Sequence, residues 1–265
     1  MSESINAERE ACSSAGTREF RGIVVVAASA VLAFVGACVA HEVAGHAGAC
    51  LIGGGTVGQV SSSLFACHPG TLLADLGGPG ANFMMGLVSL LVLRGRQRGT
   101  TLHLVLALSV AFNMFWVAGE LLMSAVVARD DFAYAARMFG AAQIPVRVIF
   151  GAAGIGLATT TCRLMGRQGL PRSALLLAYW VTGLAVCTSA VFYAGPIKPA
   201  LREAALESFG AMAWIWCVRP GPPSSDAGAK PVHTAALWPI SLLALIAFSL
   251  LLALGHGYVA PAGHH

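Results

Sequence analysis

Long apolar runs separated by short polar breaks, several of them rich in arginine, make up most of the chain. A helix needs about 20 apolar residues to cross a bilayer core. Runs of that order cover 22–50, 72–93, 102–127, 146–164, 174–194 and 235–254. The pattern predicts an all-α, polytopic membrane helix bundle of about six transmembrane helices. Gly53-Gly54-Gly55 ends the first run. Thr56–Ser63 then has period-two character, which suits a short strand or hairpin, or else a plain Gly/Ser loop. Residues 1–21 read as a polar tail and 22–135 as a three-helix core. Residues 136–195 hold two further spans, and 234–265 the last span and a tail. Between them, 196–233 reads as an interfacial amphipathic helix and a flexible linker. In 199–218, Arg202, Glu203 and Glu207 oppose Leu201, Leu206, Phe209, Trp214 and Trp216.

Composition agrees with the pattern. The 265 residues are 57% hydrophobic and 11% charged, against about 25% charged in a soluble domain. The net charge of +4 is too small and too scattered for a nucleic-acid partner. The lipid bilayer is the expected surroundings. No signal peptide is expected, because the first apolar run is too long. Arg9, Arg18 and Arg21 precede the first span, and Arg94, Arg96 and Arg98 follow the second. Arg163, Arg167 and Arg172 follow the fourth, while the loop after the first span has no basic residue. This count places the N-terminus in the cytoplasm, although Arg129, Arg137 and Arg147 blur the bias. The seven cysteines show no C-x-x-C pair and no disulfide framework. Cys50 and Cys67 could meet only if their loop faces an oxidising compartment. No internal repeat is visible, so a transporter built on inverted repeats has little support.

The chemistry concentrates at Val39–Cys50, V-A-H-E-V-A-G-H-A-G-A-C. His41, Glu42 and His46 are costly in an apolar run, which marks them as a functional-site hypothesis. The spacing is H-E-x-x-G-H. On an α-helix, residues five apart point about 140° away from each other. Only a π-bulge would bring both imidazoles to one metal, and Gly45 eases such a distortion. The hexapeptide alone leaves open both a metal site and two unrelated histidines. Leu76–Asn82, L-G-G-P-G-A-N, predicts irregular backbone at the entrance of the second span, with Asn82 offering its amide to a cavity. The alternative is a simple helix start capped by Asp75. Odd-numbered spans end on one face, so His41 and His46 can meet Glu120, Asp130 or Asp131 at the end of the third. Two histidines and a carboxylate are a standard catalytic zinc set. Glu42, beside a ligand, could take a proton from water and return it to a leaving amine.

These segments resemble the site-2 protease family of intramembrane zinc metalloproteases, especially its compact bacterial relatives. H-E-V-A-G-H stands near the end of a span and before a Gly-rich turn. Residues 77–86, G-G-P-G-A-N-F-M-M-G, are similar to the family's G-P-x-x-N segment. Residues 112–115, F-N-M-F, and 119–132, G-E-L-L-M-S-A-V-V-A-R-D-D-F, are similar to its third core helix. The resemblance covers 30–135. It implies Zn2+ held by His41, His46 and Asp131, with Glu42 as base and Asn82 holding substrate or the oxyanion. It also implies hydrolysis of peptide bonds in membrane-protein or peptide substrates, in a bacterial inner membrane. Two features depart from the family: its motif is H-E-x-x-H, and its N-P-x-P-x-L-D-G is absent. The longer spacing is similar to the zinc motif of dipeptidyl peptidase III. The shifted histidine motivates a non-enzymatic alternative, a membrane protein that binds or escorts membrane clients. For the third ligand Asp131 ranks first, Asp130 second and Glu120 third. Glu120 lies ten residues before Asp130, about 15 Å along a helix, so metal depth should select one or the other.

Overall fold

The computed structural model describes residues 22–61, 65–128, 130–138, 143–193, 196–219, 221 and 237–254. Helix α1 runs over Gly22–Ile52 and contains a π-helical stretch at Val39–Ala47. A hairpin follows, with β1 at Thr56–Val60 paired antiparallel to β2 at Phe65–His68. Then come α2 (Leu72–Arg94), α3 (Thr101–Val127), the short α4 (Asp131–Met138), α5 (Gln143–Gly166) and α6 (Arg172–Ser189). Helix α7 (Ile197–Ala205) continues through π and 3-10 turns to Cys217, and α8 covers Leu237–Leu254. The described chain is thus all-α apart from one hairpin, which falls where the period-two segment predicts it.

Five helices are long and apolar enough to cross a membrane: Gly22–Ile52, Leu72–Arg94, Thr101–Val127, Ile144–Gly166 and Arg172–Phe192. The expected sixth span falls on α8. Large apolar side chains such as Leu91, Val148, Ile149, Leu184 and Leu243 remain exposed on the outer faces of these helices. Lipid tails are as apolar as leucine, so van der Waals packing and interhelical hydrogen bonds must hold such helices together in a bilayer.

Helix α3 is central, packed by α1, α2, α5 and the 211–217 turns. Its Phe112, Phe115 and Leu108 are fully buried. Phe34 of α1 meets Phe112 edge-on at 5.6 Å and stacks on Trp116 at 5.4 Å. Ser89 of α2 shares a 2.9 Å hydrogen bond with Ser109 of α3. Ser241 of α8 donates to the Ala28 carbonyl of α1 at 2.6 Å.

Two differences from the sequence reading position the site. Leu76–Asn82 is continuous helix, with Pro79 inside it. Thr71, not Asp75, caps this helix by accepting from the Ala74 amide. The glycines there serve close packing: a Cβ on Gly45 would lie 2.5 Å from the Gly77 carbonyl oxygen and 2.7 Å from Gly78 Cα. Small residues let two backbones approach in this way. The 199–218 segment also differs from a helix lying alone at an interface. Met212 and Ile215 are buried among the neighbouring helices, and Ala211 presses on Gly119 of α3. The 220–233 linker, the tail 1–21 and Arg129 lie outside the described residues, apart from Gly221.

Candidate metal centre

The π stretch resolves the spacing of the histidines. With i→i+5 hydrogen bonds, residues five apart share one helix face. His41 and His46 accordingly turn their Nε2 atoms to within 3.0 Å of each other. Both imidazoles are buried, at 4% and 5% exposure. The second helix closes over them at Gly78, where a Cβ would fall 2.7 Å from His41 Nε2.

The carboxylate comes from a chain reversal. Helix α3 ends at Val127, Ala128 takes a left-handed conformation (φ 55°) and Asp130 another positive φ (88°). Asp131 then opens α4 and points back at the histidines. Its Oδ2 lies 3.2 Å from His46 Nε2 and 3.5 Å from His41 Nε2. Arginines fix this corner. Arg147 donates to the Ala125 and Val126 carbonyls, both at 2.5 Å, and Arg137 donates to the Ala128 carbonyl at 3.0 Å. Cations at the last carbonyls of a helix satisfy orphan acceptors and its dipole.

Because the helix stops at Val127, the idea that metal depth selects between Glu120 and an aspartate does not hold. Both arrive: Glu120 Oε1 lies 3.4 Å from His41 Nε2, and one oxygen each of Glu120, Asp130 and Asp131 lie within 4.8 Å of one another. Burial alone would raise the Asp131 carboxyl, but hydrogen bonds from both histidines outweigh it and hold it down at about 2. Burial, followed by the charge of Asp131, pushes Asp130 up to about 7.

His41 Nε2, His46 Nε2 and Asp131 Oδ2 fit a tetrahedral zinc. Ligands about 2.0–2.2 Å from such an ion lie roughly 3.3–3.6 Å apart, close to the 3.0, 3.2 and 3.5 Å here. Supporting contacts suit the same purpose. His46 Nδ1 donates to the Ala74 carbonyl at 2.6 Å, which leaves the Nε2 lone pair facing the centre, as an outer hydrogen bond does for a metal-bound imidazole. His46 stacks on Phe65 of β2 and His41 on Trp116, each at 5.0 Å. The Trp116 indole also donates to Glu120. His41 Nδ1 has no partner among the described residues.

The site opens into a cavity of about 790 Å³. His41, Glu42, His46, Glu120, Asp130 and Asp131 line one side, and Arg202, Glu203, Leu206, Glu207 and Trp214 another. Phe65, Ala66 and Cys67 of the hairpin complete it. Glu42 is buried and its Oε2 has no partner among the described residues. Asn82 does not line this cavity. It is fully buried on α2, one turn beyond Gly78, with both amide atoms unpartnered among the described residues.

A disulfide joins Cys50, at the end of α1, to Cys67 of β2. It ties the hairpin wall to the helix that carries the histidines. The sequence raised this pairing only on condition of an oxidising compartment, named the 199–218 residues without placing them at the site, and missed the aromatic rings on the histidines. The run F-W at 115–116, one turn before Glu120, was the available signal for Trp116. Nothing local marks Phe65 or the Ala74 carbonyl. Comparison of the chain with protein-family models, curated proteins and solved structures finds no match.

Proposed function

We propose that the chain is an intramembrane zinc metalloprotease that hydrolyses peptide bonds of membrane-associated substrates. The observation that carries this reading is the convergence of His41, His46 and Asp131 at zinc-ligand separations inside an apolar bundle, beside the buried Glu42 carboxylate. Zinc bound there supplies a Lewis acid for the peptide carbonyl and a water of lowered pKa. Glu42 takes the proton of the attacking water and passes it to the leaving amine. His46 is held in register by the Ala74 carbonyl and Phe65. Asn82, one turn beyond Gly78, offers a buried amide whose polar atoms are unengaged among the described residues. With α8 as a sixth span and the N-terminus in the cytoplasm, the hairpin faces the non-cytoplasmic side of a bacterial inner membrane. The Cys50–Cys67 disulfide favours that side, since disulfides persist in oxidising compartments. The escort alternative draws its motive from the histidine spacing, and the turnover of Glu42→Gln against wild type decides between the two.

The test pairs metal content with turnover in full-length protein. His41→Ala and His46→Ala should each lower zinc affinity by more than about 100-fold. Glu42→Gln should keep zinc while proteolysis falls by about 10²–10⁴-fold, read as disappearance of membrane-protein fragments by mass spectrometry. Fragment patterns identical in wild type and Glu42→Gln would sink the enzyme reading.

A further inference from the structure

Glu120, Asp130 and Asp131 form a second ligand group that overlaps the first through Asp131. Three carboxylates gathered in a mostly buried corner repel one another when ionised, and together they carry more charge than a single divalent ion on the histidines. Among the described residues the neighbouring arginines are committed elsewhere: Arg137 and Arg147 to the end of α3, and Arg202 to Glu203. In the function proposed above, His41 and His46 are given to the first metal. Glu120 gives an independent sign of a missing ligand. It is only 5% exposed and lines the cavity, and its Oε2 is buried without a partner among the described residues. Unpaired carboxylate oxygen in such a place is costly unless a cation meets it.

We infer that Glu120, Asp130 and Asp131 hold a second divalent cation, with Asp131 bridging it to the metal on the histidines. An all-oxygen donor set suits Mn2+ or Mg2+ and also accepts Zn2+. A carboxylate has two oxygens, and with Asp131 directing Oδ2 to the histidines, a bridging role would use its other oxygen for the second ion. Paired ions of this kind lie about 3.5–4 Å apart and clamp both sides of a reacting centre.

The inference rests on the zinc reading, and metal counting separates the two. Full-length protein in detergent would be saturated with Zn2+ and then Mn2+, freed of excess metal and analysed by mass spectrometry. Wild type should hold two metals per chain. Asp130→Asn and Glu120→Gln should each hold one, with zinc retained. His46→Ala should lose zinc and keep Mn2+. Asn tolerates a positive φ better than most residues, so Asp130→Asn keeps the backbone turn. One zinc per chain in wild type, unchanged in Asp130→Asn and Glu120→Gln, would overturn the second site and leave the first standing. No bound metal in wild type would overturn both.

Discussion

Gly78→Ala adds one methyl group, and its consequences can be worked from geometry. The new Cβ would sit 2.7 Å from His41 Nε2 and Cε1 and closer still to His46 Nε2. Ordinary contact needs about 3.4 Å or more, so the imidazoles must retreat by about 1 Å or the two helices must part. Metal ligands are held to about ±0.2 Å, and a designed site about 1 Å too loose typically fails. We therefore expect zinc affinity to fall by about 10–100-fold, comparable to losing an outer-sphere partner. Overpacking should cost about 1–3 kcal/mol, offset in part by up to about 1 kcal/mol from the better helix propensity of alanine. The assay is zinc competition against a chelator of known affinity, with a thermal melt of metal-free protein alongside. The expected signature is a large loss of affinity with a small change in Tm. Wild-type zinc affinity in Gly78→Ala would refute the claim that α2 closes directly over the imidazoles.

Two further outcomes follow from other parts of the site. Cys50→Ser opens a loop with a sequence separation of 17 and should remove about 3 kcal/mol of stability; reductant should lower the Tm of wild type by a similar amount and leave the variant unmoved. Arg147→Met leaves the Ala125 and Val126 carbonyls without their donor and should cost about 1.5–3 kcal/mol, with weaker zinc binding because Asp131 hangs from that corner; an unchanged Tm would argue against the capping role.

The parts legible in the sequence were those governed by local chemistry. Apolar length marked the helices, and the i,i+5 spacing of His41 and His46 named a π turn as the condition for their meeting, leaving open whether they met. Gly45 was legible as special, but for another reason: its hydrogen atom faces the Gly77–Gly78 backbone, a tertiary fact with no local trace. Asp131 was reached by resemblance, whereas its route to the histidines depends on positive φ at Ala128 and Asp130, neither of them glycine. The arginine count was blurred by Arg137 and Arg147, which bind helix carbonyls. The 199–218 segment read as an interfacial amphipathic helix. Its packing against α3 depends on the complementary small residues Gly119 and Ala211, which lie far apart in sequence.

The π stretch also sets the phase of the first helix. A helix that takes in one extra residue offsets its two halves by about 100° relative to an unbroken α-helix. Phe34 and Cys38 before the stretch, and Cys50 after it, are all fully buried, so the offset is what lets both halves face the bundle. Deleting Gly45 would write the shorter H-E-x-x-H spacing and could still bring two imidazoles together. It would also rotate one half of the helix against the other, turning either the Phe34 face or the Cys50 tether away from its partners. The inserted residue therefore belongs to the architecture of the whole span, and the spacing of the histidines is its visible mark.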